Sequence, residues 1–237
     1  MPTTLTTIDP HARPPIFASI LQTMKPGRLL DLACGHGVFS LVAARMGWQV
    51  TAVDVRTGRM PMTDGIRWVE SDVREFKISP GDYDSIAILG LLYHLELDDQ
   101  LNLLMRCSFA PTIVDTIVSL DANVEEKGYR GEYFDEVAGR TPEQFAKSPT
   151  ASWKNTRSFW ADEGSLVRLF NDAGFASVYK HMPPVVPERT FYLCLPSWGY
   201  DPYPKDALQQ AVAAKAGPPA PAASAPAKRR ALFRRPR

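Results

Sequence analysis

The stretch Asp31-Leu-Ala-Cys-Gly-His-Gly37 follows an apolar run and leads directly into an amphipathic segment. Glycine has no Cβ, so Gly35 and Gly37 let the chain turn tightly and let a ligand approach the backbone, while a helix start beyond them offers unpaired amide donors. Asp54, 23 residues after Asp31, closes the β-branched run Gln49-Val-Thr-Ala-Val-Asp54, where a carboxylate can accept both hydroxyl protons of a ribose. Two carboxylates at the ends of neighbouring strands outline a nucleoside-shaped site. A dinucleotide site would need G-x-G-x-x-G to seat a pyrophosphate, whereas here Gly35-His-Gly-Val-Phe-Ser40 puts a serine in the last place. His94, in the loop after another apolar run, is a candidate general base because imidazole takes up a proton near neutral pH; the alternative is a ring that packs with Tyr93 or caps the next helix.

Those residues need a scaffold. Strand-length apolar runs alternate with helix-period segments from residue 11 to about 195, the pattern of a parallel sheet with crossover helices. The expected strands are Arg28–Ala33, Gln49–Asp54, Ile66–Glu70, Tyr83–Leu89, Thr112–Ser119, Ala176–His181 and Thr190–Leu195, seven in all. Helices are expected over His11–Met24 behind Asp9, over Val38–Met46, from a cap at Asp98 to Phe109, and over Glu163–Ala173 behind Asp162. Residues 122–160 break this rhythm with aromatics set among charges and Gly, and are read as an insertion that folds over the substrate.

Of 237 residues, 27 are Lys or Arg and 26 Asp or Glu, a net charge of +1 that announces no polyanionic partner. The balance is uneven, because residues 211–237 hold seven basic residues and no acid. The expected division is therefore a domain over 1–210 and a disordered Ala/Pro/basic tail over 211–237, whose cations are able to touch anionic membrane. Three well-separated cysteines, Cys34, Cys107 and Cys194, fit neither a disulfide framework nor a thiolate zinc cluster. With no apolar run of transmembrane length and no leader pattern, the chain is read as soluble and cytoplasmic.

The motifs resemble, in order, those of class I S-adenosylmethionine-dependent methyltransferases over about residues 25–195. The resemblance implies a doubly wound, Rossmann-like α/β fold with a seven-stranded, mostly parallel sheet whose last strand is antiparallel. It also implies S-adenosylmethionine as cofactor. Asp31 would hold the methionine amino group, with Ala33, Cys34, Gly35 and Gly37 in the loop beneath it; Ala33 stands where many members have the first glycine. Asp54 would bind the ribose and Val55 the adenine face, and Ser71-Asp72-Val73 matches the motif that receives the adenine amino group through Asp72 and Val73. Ile88-Leu-Gly-Leu-Leu-Tyr-His94 matches the fourth motif, which puts Leu89, Gly90 and His94 beside the methyl group. That phrase is similar to loops of tRNA wobble-uridine carboxymethyl transferases and of methyltransferases acting on polysaccharides or other hydroxylated small molecules.

The expected reaction is O-methylation of a glycan or small metabolite, with His94 catalytic. A tRNA-modifying enzyme and a non-catalytic cofactor-binding protein are the alternatives, and the acidic body speaks against a large RNA partner. On the acceptor side, Tyr93, Tyr129, Arg130, Tyr133, Trp153, Lys154, Arg157 and Trp160 are of types that stack on rings and pair with acids. Glu132, Asp135 and Glu136 with Asp115 have no metal-loop spacing, so no metal is expected.

Overall fold

The computed structural model describes residues 12–147 and 152–197, all within one compact unit. Seven strands, β1 (Arg28–Leu32), β2 (Gln49–Asp54), β3 (Ile66–Glu70), β4 (Ser85–Leu89), β5 (Thr112–Ile117), β9 (Phe175–Lys180) and β10 (Arg189–Pro196), form a sheet of order β3-β2-β1-β4-β5-β10-β9. β10 alone runs opposite to the other six strands, antiparallel to both β5 and β9. This is the doubly wound arrangement the sequence led us to expect, and its strand order reverses direction between β1 and β4, where a ligand crevice opens beyond the strand ends.

Successive strand residues face opposite sides of the sheet, so one strand feeds two cores. Leu30, Ile86 and Val114 pack against Leu103, Leu104, Leu169 and Phe170 from α3 (Leu97–Cys107) and α5 (Glu163–Asp172). On the other face Leu29, Ala87 and Ile113 pack with Phe17, Leu21 and Ala43 from α1 (Arg13–Leu21) and α2 (Val38–Arg45). Each such buried Leu, Ile or Phe contributes roughly 1.5–3 kcal/mol relative to exposure.

Asp162 caps α5 as expected, accepting from the Ser165 N–H at 2.7 Å, and Gly174 closes the helix. Asp98 does not cap α3: Glu96 occupies that position without a side-chain bond, and Asp98 and Asp99 sit in the first turn, where the helix dipole favours acids. The strands expected to begin at Tyr83 and end at Ser119 run over the shorter β4 and β5. Asp9 and the tail over 211–237 lie outside the described residues. Among the described residues no helix is long and apolar enough to cross a membrane.

The insertion has its own sheet. β6 (Val124–Glu126), β7 (Tyr129–Asp135) and β8 (Arg157–Ala161) pair antiparallel in the order β6-β7-β8, with a short helix α4 (Pro142–Lys147) between the last two. The β6–β7 turn is the two-residue loop Lys127-Gly128, both at positive φ (53° and 82°), the geometry that matches the twist of a hairpin. Gly131 is obligatory there, because a Cβ would lie 2.3 Å from the Trp160 carbonyl oxygen.

Candidate active site

A cavity of about 320 Å³ opens at the β1/β4 switch point. Its walls come from the loops after β1 (Ala33, Cys34, Gly35, His36), β2 (Asp54, Val55, Arg56), β3 (Ser71, Asp72, Val73, Arg74) and β4 (Leu89, Gly90, Tyr93, His94). Arg13, Phe39 and the segment Ser152, Trp153 and Asn155 also line it.

Asp54 holds the glycine loop open from below. One carboxylate oxygen accepts from the Gly35 N–H at 2.9 Å and the other from the Arg56 N–H at 2.8 Å. Each oxygen has two acceptor sites, so the carboxylate keeps capacity for the two hydroxyls of a ribose. A Cβ on Gly35 would meet nothing within 4 Å, so this residue presents bare backbone to open space. Ala33 takes φ 57°, the left-handed conformation that explains why a glycine is easily accepted at this place. Together these features fit the sugar and amino-acid ends of an adenosyl cofactor.

Asp31 and Gly37 are not in the cavity lining. Asp31 is 1% exposed beneath the loop, where its carboxylate accepts from Ser40 Oγ at 2.5 Å. Burial, opposed by the Ser40 bond and helped by Asp54, pushes its pKa up to about 7. Ser40, which stands where a dinucleotide site would have a small residue, is thus the partner of that acid. At Gly37 a Cβ would lie 2.6 Å from the Trp68 ring, so this glycine serves packing and the positive φ of 69° at the start of α2. Cys34 is buried in the loop; burial, then Asp31 and Asp54, raises its thiol far above the ordinary value and keeps it protonated.

Asp72 is held by Arg74, which donates to it through Nε at 3.0 Å and Nη2 at 2.6 Å, and this guanidinium keeps the carboxyl below the usual range. Arg74 also reaches Asn155 Oδ1 at 3.0 Å, and Arg56 Nη2 donates to the Ser152 carbonyl at 3.0 Å. The segment over the cavity is therefore pinned by arginines from the two loops that flank the proposed adenine position.

His94 ends a 3₁₀ turn, Leu92–His94, with its Nδ1 2.8 Å from Glu136 Oε1. Glu136 is 1% exposed and also accepts from Ser158 Oγ at 2.8 Å and from the Ser152 N–H at 3.3 Å. A carboxylate can only accept, so in the neutral ring the pair favours the proton on Nδ1 and leaves the lone pair on Nε2. Sequence reasoning weighed Glu136 only as a metal ligand; its role as the orienting partner depends on a contact across 42 residues.

Of the eight acceptor-side candidates, Tyr93 and Trp153 line the cavity, and the other six do not. Trp160 is 3% exposed, donates its indole N–H to the Tyr93 carbonyl at 2.8 Å and stacks on Phe134. Tyr129 donates to Asp172 at 2.6 Å, Tyr133 to Glu126, and Arg157 lies over the Tyr133 ring at 3.9 Å. The backbone N–H of exposed Arg130 donates to Ser165 Oγ, and Lys154 lies over the Trp153 ring at 5.6 Å. These side chains build the small sheet that carries His94's support; a sequence pattern of aromatics and cations alone does not separate that role from ring stacking on a ligand. Arg13, Arg74 and Asn155 were not foreseen.

Residues 30–108 match the methyltransferase domain family. The ubiquinone biosynthesis O-methyltransferase of Xanthomonas campestris pv. campestris (strain B100) is 27% identical over 110 residues, 41% of this chain and 45% of that protein. The chain spans less than half the length of the curated relatives it matches. The N-terminal domain of EvdMO1, solved with S-adenosylhomocysteine bound, superimposes with a TM-score of 0.62 at 20% identity, covering 80% of this chain and 81% of that one. The glycopeptide N-methyltransferase MtfA, solved with S-adenosylmethionine, gives 0.53 at 13% identity over 78% of this chain and 87% of that one.

Proposed function

We propose that this chain is a class I S-adenosylmethionine-dependent methyltransferase that methylates a hydroxyl oxygen of a glycan or small metabolite, with His94 as the base. The observation that carries the reading is the His94–Glu136 pair at the cavity wall. When bound, S-adenosylmethionine supplies a methyl group on a positively charged sulfur that leaves as a neutral thioether. Gly35 and Asp54 would hold its amino-acid and ribose portions, and Val55 and Asp72–Val73 its base. An amine or thiolate acceptor can be nucleophilic without help, but a hydroxyl has a proton to lose as its oxygen forms the new bond. His94 Nε2 accepts that proton, and the buried Glu136 carboxylate holds the ring in the accepting tautomer and stabilises the imidazolium that forms. Tyr93 packs against the His94 ring at a 4.3 Å centroid distance and limits its rotation.

Mass spectrometry of metabolite and glycan extracts incubated with methyl-labelled cofactor identifies the acceptor. With it, His94→Ala should lower kcat by about 10²- to 10⁴-fold and Glu136→Gln by roughly 10- to 10³-fold, both with little change in S-adenosylhomocysteine affinity. Added imidazole should restore part of the His94→Ala activity. A His94→Ala enzyme with near wild-type kcat, or a labelled product methylated on nitrogen, would overturn the proposal.

A further inference from the structure

Asn155 lines the cavity, is 8% exposed, and uses the two ends of its amide on different parts of the site. Its Nδ2 donates to the His94 carbonyl at 2.8 Å, and its Oδ1 accepts from Arg74 Nη1 at 3.0 Å. Arg74 belongs to the loop after β3 and His94 to the turn after β4, so one side chain joins the wall that carries Asp72 to the turn that carries the imidazole. The same segment also reaches the ring itself. The Ser152 N–H donates to Glu136 Oε2 at 3.3 Å, Glu136 Oε1 lies 2.8 Å from His94 Nδ1, and Ser152 Oγ donates to the Asn155 carbonyl at 2.6 Å.

On the other side of Asn155, every nitrogen of the Arg74 guanidinium is engaged. Nε and Nη2 donate to Asp72 at 3.0 and 2.6 Å, Nη2 also reaches the Trp153 carbonyl at 3.5 Å, and Nη1 pairs with Asp99 at 3.6 Å as well as with Asn155. A hydrogen-bond donor arriving at Asp72 therefore competes with Arg74 for the carboxylate, and a shift of the guanidinium is felt at Asn155 and Trp153. Lys154, between those two residues, is held at φ 63°, a left-handed conformation that a lysine adopts where its surroundings impose it. The segment is thus fixed by the β3 loop on one side and by the His94 turn on the other.

We propose that Asn155 is a positioning residue that couples the occupant of Asp72 to the orientation of His94, passing a shift of Arg74 through its amide to the turn that carries the imidazole. The differential interaction that such coupling requires is the contact of Arg74 with Asp72, which differs according to whether a ligand donor shares that carboxylate. The proposal rests on the reading that S-adenosylmethionine places the amino group of its base at Asp72 and that His94 is the base. Its consequence is an order of events: the proton acceptor reaches its working geometry once the cofactor is seated, so a hydroxyl acceptor then meets an organised site.

The test follows the imidazole resonances of the full chain carrying isotope-labelled histidine. His36 and His94 both line the cavity, and the spectra of His94→Ala and His36→Ala identify their signals. Wild type is saturated with S-adenosylhomocysteine and, separately, with the analogue whose base is purine, which lacks the amino group. Both ligands should move the His36 signal, and the displacement of the His94 signal should be larger by about twofold or more with S-adenosylhomocysteine. Asn155→Asp keeps an acceptor for Arg74 and loses the donor to His94. In it, and in Asn155→Ala, the two ligands should displace His94 equally, while S-adenosylhomocysteine affinity stays within about fivefold of wild type. Equal displacement of His94 by the two ligands in wild type refutes the coupling without recourse to any variant, and a difference that persists in the variants refutes the role of Asn155. If neither ligand moves His36 or His94, the cofactor reading fails and takes the coupling with it. If both move His36 and the His94 difference alone is missing, the cofactor reading stands and the coupling is refuted.

Discussion

Asp31 makes a stability prediction that can be worked through. Its carboxyl is 1% exposed and hydrogen-bonded by Ser40, and burial lifts its pKa from 3.8 to about 7. Between those values the folded state keeps a proton that the unfolded chain has released, so this group's contribution to stability is present below the unfolded value and is lost as pH rises toward 7 and beyond. The full span is on the order of 4 kcal/mol, of which about 2 to 3 kcal/mol falls between about pH 5 and about pH 8. Asp31→Asn keeps an oxygen for the Ser40 hydroxyl and cannot ionise. Whatever constant offset the amide introduces, the melting temperature of the variant relative to wild type should rise by about 5–10 °C across that pH interval. Thermal melts of both proteins over the pH series measure it, and parallel curves would refute the reasoning. If the loop above Asp31 seats the ammonium of the cofactor, S-adenosylhomocysteine favours the ionised carboxylate. Its affinity for wild type should then climb roughly tenfold from about pH 6 to about pH 8, and the climb should vanish in Asp31→Asn.

The two glycines of the loop should fail in different ways. Gly37→Ala meets the Trp68 ring at 2.6 Å in a left-handed backbone and should cost about 2–4 kcal/mol of stability in denaturant titrations. Gly35→Ala meets nothing within 4 Å, so it should cost only about 1 kcal/mol of stability yet weaken S-adenosylhomocysteine binding by placing a methyl group where the ligand approaches. A reversed ranking would mean that the ligand side of the loop has been misassigned. Asp54→Ala removes the acceptor of the Gly35 and Arg56 N–H groups as well as that of the ribose, and should weaken cofactor binding by roughly 2–4 kcal/mol by calorimetry. Unchanged affinity would contradict the ribose assignment.

What could be read from the sequence is what local chain geometry determines. The run from Asp31 to Gly37 carries its own turn requirements, and β-branched runs such as Thr112–Ile117 exclude a helix, so the sheet and the loops at its carboxyl edge follow from neighbours within a few residues. The hairpin of the insertion also had a local signal, Lys127-Gly128 between short runs of alternating character, but aromatic and charged residues on both faces hid the period of two. Contacts set by topology left no trace: Arg13 finds Asp115 across 102 residues, Arg74 finds Asn155 across 81, and nothing near either partner marks the other. The same limit explains the aromatic residues. Trp160 and Tyr133 have the composition of a ligand platform, and only strand register tells which way each ring faces.

That register gives the insertion a task beyond covering the cavity. Four bonds run from β8, or from the segment just before it, to the turn that carries His94 or to its partner Glu136. Trp160 donates to the Tyr93 carbonyl at 2.8 Å, the Phe159 N–H to Leu95 at 3.1 Å, Asn155 to the His94 carbonyl at 2.8 Å, and Ser158 to Glu136 at 2.8 Å. The motifs proposed to hold the cofactor lie on the sheet's own loops, but His94 and the Glu136 carboxylate beside it are held by the insertion. Exchanging residues 122–160 would therefore alter the chemistry of proton transfer together with the acceptor surface, while the Asp54–Gly35 contact, made within the main sheet, would remain.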